Sequence, residues 1–182
     1  MSRTGNRKRV LITGPSGSGK TSLSARIRER GLNGVDADSV PGLCGWFDES
    51  GLPATFPECA EKEFLDHHRF LWQRESLLNF LESSEDVFFC GISRNAFEMI
   101  DLFDTVFFLK VSSEVLVSRL QSPTRTNPMG TSPFQREYIL FWAAKFEAIA
   151  RELRVSFIDA SRPLDEIVEV VCASARQHSA RP

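Results

Sequence analysis

The chain's 182 residues, 42% hydrophobic and 25% charged, suffice for one sizeable core and hardly for two. A formal net charge of -2 supplies no electrostatic footprint for nucleic acid, so that class of partner is not expected. No apolar run approaches the roughly 20 residues of a membrane span, which argues against a membrane protein.

The N-terminal stretch, with Arg3 and Arg7-Lys8-Arg9, reads as a solvated polar tail. It lacks the small-residue cleavage site of a secretory leader, so a cytoplasmic protein is expected. Arg9 to Thr13 (RVLIT) then reads as a buried strand, Lys20 to Arg30 as a helix and Gly34 to Asp38 as a second, weaker strand. From Ser39 to Pro57 runs a long connection rich in Pro and Gly, the kind of loop that usually carries function. Glu58 to Leu81 spaces Phe64, Leu65, His68, Leu71, Trp72, Glu75 and Leu78 helically and predicts one long helix. Val87 to Cys90 and Thr105 to Leu109 are continuous apolar runs, as expected of strands covered on both faces.

Ser112 is placed to cap a helix ending near Leu120. A breaker-rich stretch follows from Ser122 to Thr131, and Ser132-Pro133 opens a long helix to Leu153. Val155 to Ile158 is the last strand and Leu164 to Arg176 the last helix. Strands alternating with helices predict a three-layer α/β fold with a mostly parallel sheet of about five strands, built as one domain over residues 1–182. The cysteines Cys44, Cys59, Cys90 and Cys172 have no CxxC spacing and are expected as free thiols. Cys44 and Cys59 with His67-His68 lack the regular spacing of a metal site.

Between the first strand and its helix lies Gly14-Pro15-Ser16-Gly17-Ser18-Gly19-Lys20-Thr21, a complete GxxxxGK[ST] match, or Walker A P-loop, with Ser22 next on the helix. Glycines let successive N–H groups converge on phosphate oxygens, and the helix adds the positive end of its dipole. Lys20 is the point charge for the β- and γ-phosphates and Thr21 the magnesium ligand, so ATP with Mg2+ is the expected ligand pair.

Phosphoryl transfer further needs positive charge, a metal contact and an acceptor site. Asp36 and Asp38 sit at the end of the second strand, where alternation would put both carboxylates on one face. One would hold magnesium through water and the other accept the proton of an attacking hydroxyl; the alternative is that aspartate caps the next turn. Arg125, in Ser122-Pro123-Thr124-Arg125-Thr126-Asn127-Pro128-Met129-Gly130, sits in a candidate lid, with Arg119 before it and Arg136 after. The strand Val87 to Cys90 ends in Gly91 without an aspartate, which argues against a mechanical ATPase and leaves Asp36 or Asp38 as substitute. Arg94 either pairs with an anionic acceptor or caps the helix near Asn95. Trp46 and Phe47 either stack a flat ring or form the loop's own cluster. Phe64, Phe70, Trp72 and the aromatics from Phe134 to Phe146 read as core.

GPSGSGKT, the Asp36/Asp38 pair, Cys90-Gly91, the Arg119–Arg125 region and Ala160-Ser161-Arg162-Pro163 together resemble the shikimate kinase and adenylate kinase group of small P-loop kinases. The resemblance implies the kinase strand order 2-3-1-4-5, an acceptor-binding region over 39–81, a lid over 121–132 and a monomer. By the same likeness adenine lies between Arg119 and Arg162-Pro163, Arg125 contacts the transferring phosphate, Asp36 assists magnesium and Asp38 orients or deprotonates the acceptor. The Arg125-Thr126-Asn127-Pro128-Met129-Gly130 stretch, with Leu102-Phe103-Asp104, looks like bacterial nucleotide-kinase-like proteins. Two departures stand out: Gly91-Ile92-Ser93-Arg94 replaces the glycine run of shikimate kinases, and Val40 to Asp48 replaces the turn and arginine helix of nucleoside monophosphate kinases.

The expected function is a phosphotransferase acting on a small-molecule hydroxyl, with Lys20, Asp38 and Arg125 catalytic and Asp38, Trp46, Arg94 and Arg136 at the acceptor. A nucleoside monophosphate kinase is the close alternative. An ATP-binding regulatory module with slow hydrolysis is another; the chain lacks the NKxD motif of GTPase switches.

Overall fold

The computed structural model describes residues 7–57, 60–125 and 127–177, so Arg3, Glu58, Cys59 and Thr126 lie outside the described residues. Its central sheet holds β1 (Arg9–Thr13), β2 (Gly34–Asp36), β6 (Val87–Cys90), β7 (Thr105–Lys110) and β8 (Ser156–Asp159). They run parallel in the order β2-β6-β1-β7-β8, which is the 2-3-1-4-5 order of P-loop kinases counted along the central strands. Helices α1 (Lys20–Glu29), α3 (Arg74–Ser83), α4 (Ser113–Leu120), α5 (Pro133–Glu152) and α6 (Leu164–Gln177) connect and cover it.

The two-residue alternation of β1 divides the core. Val10 and Ile12 pack with Leu23 and Ile27 of α1 and Ile167, Val168 and Val171 of α6. Leu11 faces the other way, among Leu77 and Leu81 of α3, Phe89 of β6 and Met99 of a 3-10 segment, Ala96–Leu102. Val87–Cys90 is buried at every position, as its unbroken apolar run requires. Ser112 caps α4 by accepting from the Val115 N–H at 3.3 Å, and Ser132 caps α5 by accepting from the Gln135 N–H at 3.2 Å, with Pro133 opening the helix. Among the described residues no helix is long and apolar enough to cross a membrane, and Cys44 and Cys90 are free thiols.

The segment 58–81 departs from the single long helix its spacing suggests. It forms α2 (Lys62–His67), β5 (Arg69–Trp72) and then α3. His68 closes α2: its N–H donates to the Phe64 carbonyl at 2.9 Å and its ring Nδ1 lies 2.9 Å from the same oxygen. The aromatic residues that follow find a strand partner instead of another helical turn. The connection 39–57 supplies it, because it contains β3 (Cys44–Phe47) and β4 (Pro53–Ala54). These three strands form a second, antiparallel sheet in the order β4-β3-β5, with Trp46 opposite Phe70.

The second strand also ends earlier than expected, at Asp36, followed by a 3-10 turn over Ala37–Ser39. Asp36 caps that turn, its Oδ1 accepting from the Asp38 N–H at 3.1 Å, so strand alternation does not place Asp38.

Candidate active site

The P-loop curls between the C-terminal end of β1 and the start of α1. A Cβ at Gly14 would come within 2.8 Å of the Leu109 carbonyl oxygen, so only glycine lets the loop pass β7 this closely. Gly19 has φ 101°, a left-handed conformation, and heads α1 without any side-chain cap. The N–H groups of that first turn therefore have neither a helical acceptor nor a cap, the arrangement that suits an anion.

Lys20 folds back over the loop. Its Nζ donates to the Gly14 carbonyl at 2.7 Å and the Pro15 carbonyl at 2.8 Å. Burial pushes its pKa down to about 8, with Asp38 and Asp36 pulling the other way. Asp38 keeps some exposure to solvent, yet the atoms packed around its carboxyl and the nearby Asp36 charge hold its pKa above the usual carboxylate range. The Cys44 thiol lies 3.9 Å from Asp38 Oδ1 and donates to the Ala37 carbonyl at 3.1 Å. Burial and the two carboxylates push it up to about 12, so it stays an S–H group.

Two arginines bind the loop from the far side. Arg119 Nη1 donates to the Ser18 carbonyl at 3.2 Å and Nη2 to the Ala160 carbonyl at 2.8 Å, linking α4, the P-loop and the end of β8. Arg125 Nη2 donates to Ser16 Oγ at 3.1 Å and to the Met129 carbonyl at 2.7 Å. Burial lowers its pKa, and its Nε is buried without a hydrogen-bond partner.

These groups share one cavity of about 1050 Å³. Pro15 through Ser22, Arg119, Arg125 and Arg162 line one end, with Asp36 and Asp38 beyond them. The other end is lined by Trp46, Phe56, Phe70, Arg94, Tyr138 and Trp142. Of the residues singled out in the sequence, Gly14 lies beneath the loop, its carbonyl held by Lys20. Pro163 is not on the cavity wall; its carbonyl accepts from Glu166 and Ile167 in the first turn of α6. Arg162, at the rim, also pairs with Glu166 at 2.7 Å. Arg136 is not among the described residues that line the cavity. Its Nη1 donates to the Gly130 carbonyl at 3.2 Å and the Thr131 carbonyl at 2.7 Å, bracing the turn before α5.

Arg94 does not cap a helix through its side chain. Its guanidinium lies over the Trp142 ring, 3.0 Å from the centroid. Its N–H donates to the Phe70 carbonyl at 2.9 Å, tying β5 to the turn after β6. Phe70, Tyr138, Trp142 and Phe146, read as core in the sequence, line the cavity. Helical spacing marked the apolar face of α5 but not what it faces. Trp46 does join a cluster, with Phe56 at 5.3 Å, Phe64 at 5.3 Å and Phe70 at 5.6 Å between ring centroids, and it lines the cavity as well.

Two polar residues went unnoticed in the sequence. Asn95 bonds both backbone groups of Trp72, accepting from its N–H and donating to its carbonyl, each at 3.0 Å. Gln135 is 3% exposed. Its Oε1 accepts from the Gly130 N–H, the Thr131 N–H and the Thr131 hydroxyl, and its Nε2 donates to the Ala60 carbonyl at 3.1 Å. Neither carries a motif, so no linear signal marks them.

The donor set fits a magnesium nucleotide. Thr21 is exposed at the loop, and Asp36 stands nearby on the same cavity. Among the described residues no cluster of three His, Cys, Asp or Glu side chains could hold a metal by itself. A magnesium ion here would take its other ligands from phosphate and water, its usual mode.

Comparison with known proteins agrees with this architecture. Three solved structures superpose over nearly the whole chain. A gluconokinase from Sinorhizobium meliloti 1021 is 22% identical with TM-score 0.56, covering 94% of this chain and 93% of its own. A shikimate kinase from Acinetobacter baumannii in complex with shikimate is 16% identical with TM-score 0.63, covering 97% of each chain. A deoxyadenosine kinase from M. mycoides with bound dATP is 14% identical with TM-score 0.54, covering 92% of this chain and 99% of that one. No curated protein matches the sequence. A family model described as an AAA domain matches residues 10–139, from β1 through the P-loop into α5. With a P-loop on a parallel five-stranded sheet and most of its length matched by that model, the chain belongs to this AAA-domain family and has the fold of the small P-loop kinases.

Proposed function

We propose that this protein transfers the γ-phosphate of ATP to a hydroxyl group of a small molecule. The observation that carries the reading is the single cavity onto which Lys20, Asp38 and Arg125 all open, with room beyond Asp38 for a second ligand. In this reading residues 1–182 work as one kinase domain, with 39–81 framing the acceptor and 121–132 acting as the lid.

The P-loop N–H groups and the uncapped start of α1 hold the phosphates. Lys20 exchanges its two carbonyl partners for β- and γ-phosphate oxygens, and Arg125 moves from Ser16 to the transferring phosphate. Arg119 and Arg162 flank the base. Thr21 and Asp36 are the residues that would hold magnesium, which would supply positive charge to offset the phosphates. Asp38 takes the proton of the acceptor hydroxyl while that oxygen bonds to the γ-phosphorus. The bond from phosphorus to the β–γ bridging oxygen breaks, and ADP leaves with the electron pair. A raised pKa suits Asp38 to this role, since a base works best when its pKa approaches the working pH.

The test is coupled ADP release with magnesium and ATP against hydroxylated metabolites, nucleosides and nucleoside monophosphates. Stimulation by a hydroxyl compound is expected, with Asp38→Asn lowering kcat by about 10²–10⁴-fold while ATP affinity is retained. ATP binding with slow hydrolysis that no acceptor accelerates would refute a kinase in favour of a regulatory module.

A further inference from the structure

The kinase reading leaves the acceptor unnamed, and the walls of its end of the cavity narrow it. On one side the small sheet presents Trp46 and Phe70, with Phe56 stacked on Trp46 at 5.3 Å. On the other, α5 presents Trp142 with the Arg94 guanidinium laid over its ring. Both walls offer aromatic ring surface, with the Trp46 and Phe70 planes inclined at 57° to one another. A stacked guanidinium is itself a planar surface for a ring, as arginine planes are for nucleobases.

Charge narrows the choice further. The cavity-lining cations Lys20, Arg119, Arg125 and Arg162 are all at the P-loop, the lid or the end of β8. Among the described lining residues Arg94 is the one cation beside these aromatics, its guanidinium laid over the Trp142 ring. A phosphate-bearing acceptor needs charge-assisted, often bidentate partners. A polyol acid needs a dense set of hydrogen-bonding groups, because its hydroxyls leave water at a cost when unmatched. Beside these rings the lining offers one guanidinium with the Ser93 and Tyr138 hydroxyls, a sparse set for either class.

We propose that the acceptor is a flat heteroaromatic ring carrying an aliphatic hydroxyl, a nucleoside or a similar hydroxyalkyl heterocycle. Its ring lies between the Trp46–Phe70 wall and the Arg94–Trp142 pair, and its hydroxyl points toward Asp38. The proposal rests on the kinase reading for the direction of the hydroxyl but not for the binding of the ring.

Intrinsic fluorescence separates the two. Of the three tryptophans, Trp46 and Trp142 line the cavity, while Trp72 is 1% exposed in the core. Nucleosides and hydroxymethyl heterocycles, aliphatic hydroxy acids and nucleoside monophosphates are titrated into the full-length protein without ATP, and ADP release is then measured with each. The expected result is quenching by ring-bearing alcohols and ADP release with the same compounds. Trp142→Leu and, independently, Trp46→Leu should weaken binding by about 5- to 150-fold, the usual worth of one ring stack. Quenching by ring alcohols without ADP release supports the ring site and refutes the kinase reading. ADP release with hydroxy acids or monophosphates alone keeps a kinase and overturns the ring site. Absence of quenching by every ring alcohol at millimolar concentration also overturns it, provided thermal melts show each protein folded.

Discussion

Gln135 offers the sharpest test of how the turn at Gly130 and Thr131 is held. Replacing it with leucine conserves volume but removes the acceptor of three bonds and the donor of one. Thr131 is exposed, so water replaces its lost partners. Gly130 and Ala60 are buried, and their N–H and carbonyl groups are left without partners. Each such orphan costs about 1–3 kcal/mol, so a loss of about 3 kcal/mol is expected after allowing for the more apolar side chain. For a chain of this length that corresponds to a drop in Tm of about 6–12 °C. Differential scanning calorimetry, with urea melts at fixed pH, measures it. Gln135→Glu supplies the control. It keeps the acceptor oxygen but, when ionised, sets a carboxylate against the Ala60 carbonyl, and when protonated it donates again. Its pKa is therefore raised in the folded state, and its stability should recover toward wild type as pH falls through that pKa. A Gln135→Leu protein melting within 2 °C of wild type, a shift worth under about 1 kcal/mol, would refute the anchoring of the Gly130-Thr131 turn through this side chain.

Two further predictions follow from the site. Burial lowers the Lys20 pKa from 10.5 to about 8, so between those values the unfolded chain binds a proton that the folded one does not, and folding stability rises with pH through that window. Lys20→Met should accordingly be more stable than wild type at pH 7 without nucleotide, the gap closing between pH 8 and 10.5, while ATP binding is lost; parallel melts across that range check it. At the end of β6, a Cβ on Gly91 would meet Ala37 Cβ at 2.4 Å and Trp72 Cζ2 at 2.6 Å. Gly91→Ala should cost about 1–3 kcal/mol by overpacking, read from urea denaturation.

The elements that the sequence made legible are those with local causes. The P-loop is a contiguous motif between a strand and a helix, β6 and β7 are unbroken apolar runs, and α4 and α5 begin at serines that do cap them. What it hid depends on distant partners. Arg69–Trp72 becomes a strand because Cys44–Phe47 lies alongside to accept its hydrogen bonds, and no periodicity within 58–81 reports that. Asp36 and Asp38 were found as residues, but the geometry that joins them is a capped turn. Arg136 was expected at the acceptor, and its guanidinium donates to two carbonyls just before its own helix, bonds that no linear signal reports. The aromatic face of α5 had the spacing of a core helix, and spacing alone does not distinguish a core from a cavity wall.

The small sheet has a consequence of its own. Its β5 strand is fastened along both edges by main-chain and amide bonds: Cys44–Phe47 on one side, the Arg94 N–H and the Asn95 amide on the other. The opposite boundary of the cavity, the segment after α4, is held largely by side chains that can let go. On the kinase reading proposed above, one side of the chamber would serve as a fixed template and the other as a moving cover. A molecule of the wrong outline would then be turned away by the template before closure, so tolerance toward acceptors should be narrow even where the grip on them is weak. Divergence toward a new acceptor on this scaffold would then proceed by exchanging side chains on rigid strands, leaving the phosphate-handling half untouched.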